Sequence, residues 1–190
     1  KIVIFVNERK KKYITKMFGV ANIIVEGVNL SAPSRRFPTL IMKRLAKYCL
    51  NSNSVRLQRY MKWRFEKKYG YLVMSGLAAI VSRSGLLRRF MRAIDYAVAE
   101  KDRFARVFDV YHPDLVVITD ILNERDVELA QNARYFKTPI VGMVRSWDNL
   151  TLHGLIRILP EKLLVASSEI KRLAHAHHDC PLGSVEIVGL

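Results

Sequence analysis

The residues best suited to chemistry crowd into one short stretch, Arg145-Ser-Trp-Asp-Asn-Leu-Thr-Leu-His-Gly154. Asp148 and His153 are side chains that can take a proton from a hydroxyl group. Ser146, Asn149 and Thr151 supply hydrogen bonds that would orient a substrate. Arg145 and Trp147 complete the set of binding candidates. Asp120 adds a second carboxylate, suited to holding substrate hydroxyls or acting as a base. The plainer alternative is that Ser146, Asp148 and Asn149 form a turn or cap a helix, and that Asp120 is an N-cap or turn residue ahead of Glu124.

These residues have to be positioned by strands. Ile140–Val144 is an apolar run that stops at the polar cluster, and Leu115–Thr119 is another that stops at Asp120. Open α/β sheets bind ligands outside the carboxyl ends of their strands, on the loops found there. From Leu115 onward short apolar runs alternate with helical stretches: Glu124–Phe136, then Lys162–Ala166, Glu169–His178 and Val185–Val188. That alternation indicates βαβ units and a parallel sheet. Upstream, Lys1–Val6 and Asn22–Val25 read as strands around a helix at Arg9–Phe18 that Gly19 would end, and Asn29–Pro38 reads as a loop carrying Arg35 and Arg36. The expected fold is α/β, a single Rossmann-like domain over residues 1–190, with a basic helical insertion at 37–110. Both ends read as cut, as in a piece of a longer chain.

The insertion is helical by spacing. Thr39–Leu50 carries Leu40, Ile41, Leu45 and Tyr48 on one side. Val55–Val73 carries Leu57, Tyr60, Met61, Phe65 and Leu72 as an amphipathic stripe, with Gly70 placed to bend or split it. Leu86–Val110 continues through Phe90, Met91, Ile94 and Phe104, as one long helix.

Charge is uneven. Lys1–Arg106 holds 24 basic and 6 acidic residues, a net of +18, and the remainder holds 8 and 11. Such a footprint attracts phosphate, in lipid or in nucleic acid. Arg56, Arg59, Lys62, Lys67, Arg88, Arg89 and Arg92 are the candidates for an anionic membrane surface. An ordinary solvated helix face ranks second, and nucleic acid last, because no nucleic-acid module is recognisable.

Other classes find no support in the sequence. There is no GxGxxG, no P-loop and no GxSxG elbow. Cys49 and Cys180 form neither a disulfide framework nor a ligand pair, so a reduced, cytoplasmic setting is expected. His175, His177, His178, Asp179 and Cys180 cluster, but their spacing matches no zinc motif and no metal is expected; histidines at a helix C-terminus are favourable for dipole reasons alone. The longest apolar run, Tyr71–Val81, falls short of the ~20 residues a spanning helix needs.

The stretch Ser146-Trp-Asp-Asn-Leu-Thr-Leu-His-Gly154 resembles the strand-end loop of a group of bacterial surface-carbohydrate proteins, similar to GT-B glycosyltransferases and CDP-glycerol glycerophosphotransferases. Pro113–Asp120, Leu163–Ser167, Glu169–His178 and Val185–Gly189 are similar too. The likeness covers Tyr111–Gly189 well and Lys1–Val25 by strand pattern only. It implies the N-terminal half of a GT-B fold, which holds the acceptor, with a nucleotide-sugar or CDP-glycerol-like donor on a C-terminal domain. It implies no cofactor and no bound metal. The acceptor would be a sugar or a lipid-linked sugar, met at the inner membrane face. Asp148 would be the first candidate for the base, with Asp120 and His153 next. Two alternatives remain open: a non-catalytic domain that docks on anionic surfaces, and a nucleotide-sugar epimerase of the same architecture.

Overall fold

A computed structural model describes residues 2–18, 22–28, 36–67 and 69–189. The chain separates into two compact units, Lys1–Pro33 and Ser34–Leu190. The readings at Gly19, over most of Asn29–Pro38 and at Arg35 lie outside the described residues.

In the first unit, β1 (Ile2–Asn7) and β2 (Ile23–Val28) pair in parallel, from Ile2 opposite Ile23 to Asn7 opposite Val28. The crossover is α1 (Glu8–Phe18). Parallel neighbours cannot be joined by a hairpin, so a helix between them is the standard solution.

The second unit contains a four-stranded sheet: β3 (Val116–Ile118), β4 (Ile140–Met143), β5 (Lys162–Val165) and β6 (Val185–Ile187), ordered β3-β4-β5-β6 and parallel throughout. Crossovers α7 (Glu124–Tyr135) and α9 (Ser168–His178) follow β3 and β5, and the short α8 (Asn149–Leu152) follows β4. Asn123 and Ser167 cap α7 and α9, accepting from the backbone N–H of Arg125 and Ile170; such caps contribute about 1 kcal/mol each. Ile118, Ile140, Leu163, Val165 and Val185 are fully buried, as are Val127, Ala130 and Ala133 of α7 and Ile170 and Ala174 of α9. The fold class is therefore α/β with parallel sheets, and the described strands form two sheets.

Ahead of β3 come α2 (Phe37–Tyr48), α3 (Asn53–Glu66), α4 (Gly70–Ser82), α5 (Gly85–Val98) and α6 (Ala105–Tyr111). The amphipathic stretch at Val55–Val73 is two helices: Lys67 takes a left-handed conformation (φ 50°) that ends α3, and Gly70 begins α4. The single helix expected over Leu86–Val110 is also two. Ala99 is extended, and the chain turns before Ala105. Asn132 of α7 supports that break: its side chain accepts from the Phe104 N–H at 3.3 Å and donates to Glu100 O at 2.9 Å. These bonds satisfy backbone groups that a helix would have paired internally.

The helices join the sheet unit through polar contacts. Arg157, in the segment before β5, grips Asp95 of α5, with Nε to Oδ2 at 3.0 Å and Nη2 to Oδ1 at 2.7 Å. Gln131 of α7 donates to the same carboxylate at 2.8 Å. Arg92 of α5 donates to Ile156 O at 2.9 Å and to His178 O at 2.6 Å. Cys49 and Cys180 are free and buried.

Candidate functional site

A cavity of about 290 Å³ opens at the carboxyl end of β3, beside the first turn of α7. Asp120, Asn123 and Glu124 line it from the β3–α7 connection, Asn149 and His153 from α8 and its end, and Arg157 from the segment beyond. Lys43 and Lys47 reach it from α2. The sheet supplies one wall and the helical stretch the other.

Asp120 is half-buried, and its Oδ1 accepts from the Leu122 N–H at 3.3 Å and from Asn149 Nδ2 at 3.4 Å. Its own backbone N–H donates to Asp126 Oδ2 at 3.0 Å. Burial raises the Asp126 carboxyl above the usual range, the Asp120 N–H lowers it, and the neighbouring Asp120 charge adds to the rise. Two carboxylates thus meet at this strand end. Asp120 does make a turn bond, as the plainer reading expects, yet it faces a cavity as well.

Asp148, the first candidate from sequence, sits elsewhere. The loop residues that line the cavity are Asn149 and His153. Asp148 Oδ1 accepts from Ser146 Oγ at 2.5 Å, and that bond holds its carboxyl below the usual range. A carboxylate stabilised in its charged form is a weaker base. Thr151 Oγ1 donates to Asp148 O at 3.1 Å, and the Thr151 carbonyl accepts from Ser52 Oγ. Arg145 and Trp147 are exposed, Trp147 at 76 %. The structure therefore gathers Asp120, Asn149 and His153 around one space and leaves Arg145, Ser146, Trp147, Asp148 and Thr151 outside its lining.

Gly154 closes that loop against α2. It has φ +97°, and a Cβ there would stand 2.5 Å from Lys47 Cα and 2.6 Å from Ala46 O. The next residue, Leu155, donates its N–H to Ala46 O at 2.9 Å. Only glycine allows this approach, and the approach brings Lys43 and Lys47 to the cavity.

Lys43, Lys47, Glu124 and Arg157 are site residues that the motif pattern alone does not pick out. Lys43 and Lys47 share a helix face by their spacing, which was readable. Arg157 is a lone charge inside Leu155-Ile-Arg-Ile-Leu159, a pattern that requires a buried partner. It has two: Asp95, and Glu124 Oε2 at 2.8 Å from Nη1. Glu124 Oε1 lies 3.6 Å from Lys43 Nζ.

Of the membrane-surface candidates, Arg59 and Arg92 are buried, at 2 % and 9 % exposure. Arg59 Nη1 donates to Tyr48 O at 2.5 Å and Leu50 O at 2.9 Å, closing the end of α2. Arg92 is held by the carbonyls described above and by Asp179 at 2.9 Å. Arg88 forms a bidentate pair with Asp179, at 2.8 and 2.5 Å, and is mostly covered. These three are structural, because a guanidinium has enough donors to satisfy several carbonyls at once. Lys62 pairs with Glu66 one turn on, while Arg56, Lys67 and Arg89 are exposed.

The histidine cluster resolves similarly. His178 is fully buried; its Nδ1 accepts from the Ile156 N–H at 3.1 Å, so its Nε2 carries the proton and donates to Leu150 O at 2.8 Å. Desolvation pushes it down to about 3, so it is neutral and gains nothing from the helix dipole. Among the described residues, no group of three or more His, Cys, Asp or Glu side chains is arranged to hold a metal ion. No single helix among them is long and apolar enough to cross a membrane.

Comparison with protein-family models, with curated proteins and with solved structures returns no match for this chain.

Proposed function

We propose that this chain is the Rossmann-like, acceptor-binding part of a GT-B-type transferase acting on a sugar or lipid-linked sugar of surface polysaccharide or glycolipid synthesis. The donor is a nucleotide sugar or a CDP-glycerol-like compound held by a further domain. The observation that carries this reading is the cavity at the carboxyl end of β3, which has Asp120, Asn149 and His153 on one side and Lys43 and Lys47 on the other. Carboxylate, amide and imidazole suit a polyhydroxylated ring, and ammonium groups suit a phosphate attached to it. Asp120 takes the proton from the attacking hydroxyl, with His153 as the nearby second base. With a nucleotide-sugar donor the acceptor oxygen bonds to the anomeric carbon, through an oxocarbenium-like state, as the bond to the nucleoside diphosphate breaks and the diphosphate leaves; with a CDP-glycerol-like donor it bonds to phosphorus as CMP leaves.

The test is ligand-observed NMR with simple sugar phosphates as acceptor probes and nucleotide sugars as donor probes. The reading expects saturation transfer to the sugar phosphate, lost in Asp120→Asn and Lys47→Glu variants that melt like the parent. Transfer that survives both substitutions, or that appears only for the nucleotide moiety, removes the acceptor assignment. A nucleotide sugar converted to free sugar, with no acceptor glycosylated, supports the epimerase alternative instead.

A further inference from the structure

Helices α3, α4 and α5 expose apolar stripes that ordinary surface helices bury. A soluble helix turns its apolar stripe to the core and its polar stripe to water. Here the exposed side chains of the α4 segment are Tyr69, Leu72, Val73, Leu77 and Ile80, spaced as one continuous helical stripe. The helix has no charged residue from Gly70 to Ser82, and its polar Ser75 faces inward, accepting from Arg59 Nε at 3.1 Å. On α5 the buried side chains are Arg92 and Asp95, while Leu86 and Phe90 are 75 % and 61 % exposed. On α3 the buried side chains are Val55 and Arg59, while Leu57 and Phe65 are 61 % and 69 % exposed. The stripe that spacing alone assigns to the core therefore faces outward. Contiguous apolar surface of this kind marks a contact with something else.

We infer that α3–α5 form a face that docks on an anionic lipid bilayer, with the outer stripes of α4 and α5 sunk among the acyl chains and the flanking cations on the headgroups. Charge selects the occupant. From Gly27 to Ile94 the sequence holds 15 basic residues and one acidic residue, Glu66. Exposed Lys67 and Arg83 bracket α4, and Arg56, Arg64 and Arg89 lie on the neighbouring helices. A second copy of this chain would bring the same cations against them, whereas a bilayer with anionic headgroups neutralises them. Tyr60, Trp63 and Tyr69 are the residue types that settle at the headgroup level. The geometry favours lying on the bilayer over crossing it, because α4 and α5 bend by 115° at the turn between them. The docking set is thus different from the one read from sequence: Arg59, Arg88 and Arg92 are inside, and the apolar stripe carries the contact. This holds whether or not the cavity at β3 performs transfer.

Flotation with phosphatidylcholine vesicles, with and without 30 % phosphatidylglycerol, tests it (the fraction is a choice of probe, on the order used for anionic leaflets). The chain is expected to float with the anionic vesicles and less with the neutral ones. Val73→Asp with Ile80→Asp alters two water-facing side chains, so the melting transition should hold while binding falls at least ~10-fold. Arg83→Glu with Arg89→Glu should remove the preference for the anionic vesicles. No flotation at low salt overturns the inference, as does unchanged binding by the Val73→Asp/Ile80→Asp variant. Concentration-dependent dimerisation that this variant abolishes, without flotation, assigns the face to a second copy and also overturns it. Salt-sensitive DNA binding with no vesicle binding gives it to nucleic acid, with the same consequence.

Discussion

Arg157 holds Asp95 through two parallel hydrogen bonds of 3.0 and 2.7 Å, with both side chains almost completely shut off from water. The pair joins α5 to the segment that leads into β5. Desolvation lowers the Arg157 guanidinium, and Asp95 with Glu124 more than restores it, so its net direction is upward. Replacing Asp95 by Ala leaves a buried guanidinium with only Glu124 to answer it. The expected loss is about 3–5 kcal/mol, read as a shift in the urea midpoint with unchanged slope. Asp95→Leu combined with Arg157→Met should recover much of it. An Asp95→Ala variant as stable as the parent would show that the pair is not what binds helix to sheet.

His178 makes stability depend on pH. Its folded value is pushed down to about 3, against about 6.5 for a free imidazole. Because the folded value is the lower one, the unfolded chain binds the extra proton. The stabilisation is complete above about 6.5 and is lost as pH falls toward 3, by about 1.4 kcal/mol per unit in that window. Urea unfolding at pH 7.5 and pH 5.5 checks this. His178→Gln should flatten the slope between those values, and a variant with the parental slope rules out His178 as the source.

Gly154 is expected to tolerate no side chain. Gly154→Ala combines a left-handed backbone, costing about 1–3 kcal/mol for a non-glycine residue, with a Cβ driven against Lys47 Cα. The loop must move away from α2. The readout is a lowered melting temperature together with a chemical-shift change at Lys43 and Lys47. A variant that moves neither contradicts the packing described for the cavity wall.

Ser146 sets the acidity of Asp148. Its hydroxyl is the largest influence holding that carboxyl below the usual range. Ser146→Ala should raise the Asp148 value toward the ordinary carboxylate one, measured by carboxyl ¹³C titration. No movement would mean that the 2.5 Å bond is absent in solution.

The strands were legible because a buried parallel strand is a short apolar run, and Ile140–Met143 and Lys162–Val165 could hardly be anything else. The helices between Phe37 and Tyr111 were legible as helices, but not in the direction they face. Periodicity finds a stripe and is silent on which side the partner lies, so it puts Arg59 and Arg92 on the surface although they close the ends of other elements. The break after Val98 depends on Asn132, a residue from another helix, and no local pattern encodes it. The cavity was half visible: Asp120, Asn149 and His153 stand on strand-end loops, while Lys43 and Lys47 arrive from a helix far off in sequence through the close approach at Gly154.

Cys49 and Cys180 offer a built-in clock. Burial pushes their thiols up to about 11 and about 12, so neither reacts as a thiolate while its surroundings are closed. Cys49 stands at the end of α2, and Cys180 just past the end of α9. Alkylation at either position therefore records how often that particular helix end opens, and with no added label the two rates would separate the breathing of the cavity's cationic wall from that of the sheet's far edge.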